Sequence, residues 1–147
     1  MLEKYTKHGD FTLHSGEKSD VFYDIQKMMV NELDYLLSEI PKTYDTYIGI
    51  VPVGSVLAGC LQYKMKNELG YRSNFAIINK EYELKGEIYG KCLLIDDVCT
   101  TENTFRKSLK SIYTNASTQW TDIDLFCVVD RRDKYHQLFD IQSIFKV

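Results

Sequence analysis

Apolar and polar positions along this chain switch repeatedly between a two-residue and a three-to-four-residue rhythm. "DFTLHSG" and "DVFYDIQ" alternate on either side of the polar segment "SGEKS", which predicts a pair of strands near the N-terminus. In "NELDYLLSEI" the apolar positions Leu33, Leu36, Leu37 and Ile40 form a helical stripe that Pro41 stops. "TYIGIVPV" is rich in strand-forming residues. After it Val56, Leu57, Cys60, Leu61 and Met65 fall at helical spacing, with Gly70 where a helix would end. "NFAIINK" and "KCLLID" read as buried strands, and "TENTFRKSLKSIY" as a helix carrying Phe105, Leu109 and Ile112 on one face. "TDIDLFCVVD" and "IQSIFKV" complete a set of five strands. Their alternation with helices predicts an α/β fold, a mainly parallel five-stranded sheet flanked by helices and joined by right-handed crossovers. Ligands of such sheets bind beyond the carboxyl ends of the strands, which points to the loops after Ile50, Ile95 and Val129.

Composition narrows the picture without changing it. The 147 residues include only two prolines and no repeat or linker-like tract, so residues 1–147 read as a single domain. With 44% apolar and 27% charged residues the balance is globular rather than disordered. A net charge of −3 gives no general attraction to nucleic acid or to an anionic membrane, so an anionic ligand has to be held by local groups. No apolar run reaches membrane-spanning length, and "MLEKYTKHGDF" lacks the apolar core of a signal peptide. The four cysteines form no C-x-x-C pair and read as reduced packing residues of a cytoplasmic protein.

The chemistry concentrates in "KCLLIDDVCTTENTF", Lys91 to Phe105. An apolar strand runs into Asp96 and Asp97, then through Thr100, Thr101 and Thr104 into a helix. A helix start offers free N–H groups and a partial positive charge, and threonine hydroxyls add donors, so this turn suits a phosphate. Carboxylates beside a phosphate need a different task. Accepting hydrogen bonds from vicinal hydroxyls fits, as does touching a hydrated Mg²⁺. A pentose 5-phosphate offers both ends; an ordinary capped helix is the alternative reading.

The same segment resembles the 5-phosphoribosyl 1-pyrophosphate (PRPP) signature of the type I phosphoribosyltransferases. Three further segments are similar, in order, to motifs of the orotate phosphoribosyltransferase branch: "GDFTLHSGEKSDVFYDI", "GIVPVGSVLAG" and "VVDRR". "INKEYELKG" looks like a shortened form of that branch's basic segment. The resemblance implies a Mg²⁺-dependent enzyme of pyrimidine nucleotide synthesis that replaces the pyrophosphate of PRPP by a base nitrogen. It places Asp96 and Asp97 at the ribose hydroxyls, with Mg²⁺ carried by PRPP nearby. Thr100, Thr101, Glu102, Asn103 and Thr104 fall in the 5-phosphate loop; Val53, Gly54 and Ser55 fall at the pyrophosphate, with Lys80 and Lys85 as its cations. Arg131 and Tyr23, with Phe22, would face the nucleobase, and a homodimer is the family's usual assembly.

Departures from the family pattern fall at the phosphate and pyrophosphate ends. Glu102 and Asn103 stand where the family has a glycine and a small residue. A carboxylate about 4 Å from a phosphate costs about 1 kcal/mol even in water. Pointing outward at the helix start, it would instead suit the helix dipole. Asn79, Glu83 and Lys85 occupy the places of an arginine, a lysine and a histidine, and His14 that of a lysine. The stretch from Gly86 to Lys91 is too short for a lid over the site. The chain is also shorter than the family pattern between Met29 and Tyr47 and after Arg132, which implies a reduced N-terminal hood. Two expectations follow: a compact orotate phosphoribosyltransferase, or a weakly catalytic or inactive PRPP- or nucleotide-binding module with a regulatory or partner-binding role. The base itself is implied by the family branch alone.

Overall fold

The alternating N-terminal segments form an antiparallel hairpin, β1 (Thr6–Thr12) and β2 (Lys18–Tyr23), in the computed structural model, which describes residues 1–147. This hairpin is a separate two-stranded sheet and constitutes the small hood. The second alternating run does not continue as strand to Gln26. Asp24 caps helix α1 (Ile25–Glu39) by accepting a hydrogen bond from the Lys27 N–H at 3.0 Å, so the helix begins well before the Leu33 stripe. Its added first turn brings Ile25 and Met28 into the core.

The remaining elements follow the predicted order: β3 (Thr46–Ile50), α2 (Val53–Glu68), β4 (Asn74–Ile78), β5 (Leu84–Lys85), β6 (Lys91–Cys99), α3 (Asn103–Tyr113), β7 (Asp122–Asp130) and β8 (Ile141–Lys146). Gly70, at a φ of +64°, takes the left-handed conformation just past α2. The main sheet runs β5-β4-β3-β6-β7-β8. Strands β4, β3, β6, β7 and β8 are parallel, as expected. The sheet nevertheless has six strands rather than five, because the residues after Asn79 turn back and lay the two-residue β5 antiparallel on the edge of β4.

Alternation along each strand feeds two separate cores. Tyr47, Leu93, Ile95, Phe126 and Val128 pack with α1 and α2 on one face. Ile48, Cys92, Leu94, Leu125 and Cys127 pack with Phe105 and Ile112 of α3 on the other. With both faces covered, the carboxyl edge of the sheet is left as the place where polar side chains meet, and the hairpin stands over it. No helix is long and apolar enough to cross a membrane.

Candidate active site

Strand β6 is longer than its apolar run. It stays paired with β7 as far as Cys99 opposite Asp130, so Asp96 and Asp97 lie within the strand rather than in the loop after it. Asp96 Oδ1 accepts the Asp97 N–H at 2.8 Å, and Asp97 Oδ1 accepts the Val98 N–H at 2.7 Å. Asp96 is only 8% exposed. Burial, and after it the neighbouring Asp97 charge, pushes its carboxyl well above the usual carboxylate range.

After Cys99 the chain turns through Thr100 and Thr101 into α3. Thr100, Thr101 and Thr104 line a cavity of about 170 Å³ together with Asp96 and Asp97. The hairpin supplies the opposite wall through His14, Phe22 and Tyr23. Arg131 closes this wall. Its guanidinium donates to Ser19 Oγ at 2.9 Å and to the Val21 carbonyl at 3.2 Å, and lies 5.1 Å from the centre of the Tyr23 ring.

Glu102 does not face this cavity, contrary to its expected place beside the phosphate, and it does not point into solvent either. Its carboxylate turns inward, 2.7 Å from Arg132 Nη1, and accepts the N–H groups of Leu138 and Phe139 at 3.0 and 2.8 Å. Arg132 is held in turn by Asp130, through Nε at 2.9 Å and Nη2 at 2.8 Å. Burial alone would raise the pKa of Glu102, but the Phe139 and Leu138 N–H groups and Arg132 outweigh it and hold the carboxyl below its ordinary value. Asp130, likewise buried, is held low by Arg132. The Glu102 charge is therefore turned away from the cavity and held by Arg132 and two main-chain N–H groups. Asn103 also lies outside the cavity; it is exposed and accepts from Arg106 at 2.9 Å.

The expected pyrophosphate residues are distributed differently. Val53, Gly54 and Ser55 form the first turn of α2 and lie outside the cavity, but Gly54 packs directly against β6 at Ile95 and Asp96. A Cβ on Gly54 would stand 2.2 Å from the Ile95 carbonyl oxygen. Glycine is thus required here by the close approach of helix and strand, and this approach brings the helix start beside Asp96. Val53 is buried, and the Ser55 hydroxyl donates to the Pro52 carbonyl at 2.6 Å. Lys80 and Lys85 are exposed and not among the cavity's residues. Asn79 Oδ1 accepts the Glu81 and Glu83 N–H groups and ties this segment into a tight turn, and Lys85 lies 4.0 Å from Glu83.

Two residues of the arrangement were not singled out from sequence. Ser19 was hidden in the polar part of the hairpin. Arg132 stood beside the more conspicuous Arg131, just past the end of β7.

No family model matches the sequence. The fold is nonetheless shared with solved phosphoribosyltransferases. The orotate phosphoribosyltransferase of Aeropyrum pernix superposes with a TM-score of 0.74 at 20% identity, covering 99% of this chain and 91% of that one. The adenine phosphoribosyltransferase of Thermoanaerobacter pseudethanolicus gives 0.67 at 15% identity, covering 99% and 98%. This sheet has the fold of the type I phosphoribosyltransferases, and an acid pair and a threonine turn stand at its carboxyl edge. In sequence, the orotate phosphoribosyltransferase of Methanopyrus kandleri is 30% identical over 141 residues, spanning 86% of this chain and 72% of the relative. The chain belongs to the orotate phosphoribosyltransferase family.

Proposed function

We propose that this protein transfers the 5-phosphoribosyl group of PRPP to a ring nitrogen of orotate and releases pyrophosphate. The observation that carries this reading is the cavity in which Asp96 and Asp97 stand beside Thr100, Thr101 and Thr104, with the Glu102 carboxylate turned out of it. The threonine hydroxyls and the first N–H groups of α3 hold the 5-phosphate. Asp96 and Asp97 accept hydrogen bonds from the ribose hydroxyls. The negative charge this carboxylate pair carries lies where the ribose becomes positive as its bond to pyrophosphate breaks, and a fixed charge in a buried site stabilises that change strongly. Arg131 and Tyr23 border the base. The free N–H groups at the start of α2, beside Asp96, meet the departing pyrophosphate.

Family membership as an orotate enzyme favours this reading over a non-catalytic module. Mg²⁺ fits the donor set in one way. No group of three or more His, Cys, Asp or Glu side chains converges on a point. The two adjacent carboxylates instead suit a hydrated ion brought in on the phosphates of PRPP, which is how Mg²⁺ commonly binds. Bound there, it would neutralise charge on the leaving group.

The test is pyrophosphate release from PRPP, orotate and Mg²⁺, with thermal unfolding measured alongside. PRPP at about 100 times its dissociation constant is expected to stabilise the fold by roughly 2.7 kcal/mol. Release that requires all three components and disappears in Asp97→Asn bears the reading out. No release, and no stabilisation by PRPP, overturns it; release with adenine instead of orotate would reassign the base.

A further inference from the structure

The Glu102–Arg132 pair is a feature of this chain that the phosphoribosyl reaction leaves without a task. Glu102 occupies the position between Thr101 and Asn103, inside the turn whose threonines line the cavity. Its main chain opens α3, the Glu102 carbonyl accepting the Arg106 N–H at 2.8 Å. Its side chain leaves in the opposite direction and ends in a nearly dry cluster, where Glu102 and Arg132 are 5% and 7% exposed. Every polar end of that cluster is occupied. Arg132 donates to Glu102, to both oxygens of Asp130 and to the Phe139 carbonyl at 2.8 Å, while Glu102 receives the Leu138 and Phe139 N–H groups.

The cluster joins the turn before α3 to a stretch about 30 positions further along the chain, the end of β7 and the loop leading to β8. Buried ion pairs of this kind add little net stability over apolar side chains of similar volume, but removing one partner leaves the other charge stranded. Their effect is chiefly geometric, because a planar guanidinium fixes the direction of each carboxylate it binds.

We propose that Glu102 and Arg132 are positioning residues for the phosphate subsite: the buried pair fixes the Thr100–Thr104 turn from behind, so that PRPP affinity depends on a carboxylate that never touches PRPP. A glycine in this turn adapts by backbone freedom. Glu102 instead anchors the turn to Arg132 and sets where the Thr101 and Thr104 hydroxyls stand. The inference rests on the assignment of these threonines to the 5-phosphate.

The experiment compares the intact protein with Glu102→Gln and Arg132→Lys, both of which keep the approximate shape. PRPP binding is measured by calorimetry with Mg²⁺, and amide exchange is followed without ligand. Misplaced groups in a preorganised site commonly cost ten- to a hundredfold, so PRPP affinity is expected to fall roughly tenfold or more in each variant. KM for PRPP should rise more than kcat falls. Amide exchange is expected to quicken together at residues 100–104 and at Leu138 and Phe139. Unchanged PRPP affinity in folded variants would reduce the pair to a support of the fold, and tighter binding would show Glu102 to be a repulsive neighbour of the phosphate; either overturns the proposal. Should the unaltered protein itself fail to bind PRPP, the phosphate assignment falls. Exchange that quickens only at Leu138 and Phe139 would instead remove the coupling. Should Glu102→Gln fail to fold, Arg132→Lys carries the same comparison.

Discussion

Asp96 sits within β6, where burial and the Asp97 charge both favour its protonated form. Because its folded pKa lies above its unfolded one, ionisation opposes folding. The opposition is absent below the ordinary value of 3.8 and grows as pH rises from there through the folded pKa. Asp96→Asn is therefore expected to raise the melting temperature of the ligand-free protein at neutral pH while abolishing the stabilisation by PRPP with Mg²⁺. Thermal unfolding with and without ligand reads both effects from one sample pair. Gly54 carries the converse lesson, a position required for packing rather than for charge. Gly54→Ala places a methyl group against the Ile95 carbonyl, and neither main chain has slack to move. A loss of about 1–3 kcal/mol is expected in urea denaturation, the usual cost of forcing extra volume into a packed contact.

Among the elements, the N-terminal hairpin depends on Arg131 for its place over the site. Its only side-chain hydrogen bonds to β7 or the loop after it are the two from that guanidinium to Ser19 and Val21. Arg131→Gln is expected to speed amide exchange across β2 and to raise KM for orotate. Exchange unchanged in β2 would mean that the packing of Phe22 and Tyr23 holds the hairpin unaided. Much of the element order was legible in the sequence because each rhythm was bounded by a strong signal, Pro41 after α1 and Gly70 after α2. Where two signals overlapped, the reading slipped. The alternation of "DVFYDIQ" concealed the cap at Asp24, since a capping aspartate and a solvent-facing strand residue look alike. The extension of β6 to Cys99 was hidden for a related reason: two carboxylates resemble the start of a loop unless the partner strand β7 is known to continue beside them. β5 escaped notice because two residues cannot display a period.

For the molecule as a whole, acid sensitivity follows from the buried cluster. Glu102 and Asp130 have folded pKa values below their ordinary ones of 4.5 and 3.8. Their contribution is full above those values and disappears as pH falls through them toward the folded pKa. Melting temperature is expected to fall with pH below about 5, the more so below 3.8 where Asp96 no longer offsets the loss, and Arg132→Met, which removes the partner of both carboxylates, is expected to flatten that slope. Of the site, the acid pair and the threonine turn were readable because order along the chain matches order in space. The Glu102–Arg132 contact was not, since its partners lie 30 positions apart and only the parallel pairing of β6 with β7 brings them together. Lys80 and Lys85, expected at the pyrophosphate on resemblance, are exposed on a segment that the Asn79 side chain folds into a turn at the sheet edge.

That turn has a kinetic meaning. An enzyme whose site is sealed by a long loop must wait for the loop to move before products depart, and that wait commonly sets turnover. Here the segment between β4 and β5 is a short turn tied by Asn79, so departure is expected to be ungated and turnover insensitive to added viscogen. A site without a closing loop is also expected to leave the activated sugar within reach of bulk water. Incubated with PRPP and Mg²⁺ but no base, the protein is expected to leak ribose 5-phosphate and pyrophosphate slowly, a wasteful hydrolysis that a closed site would suppress.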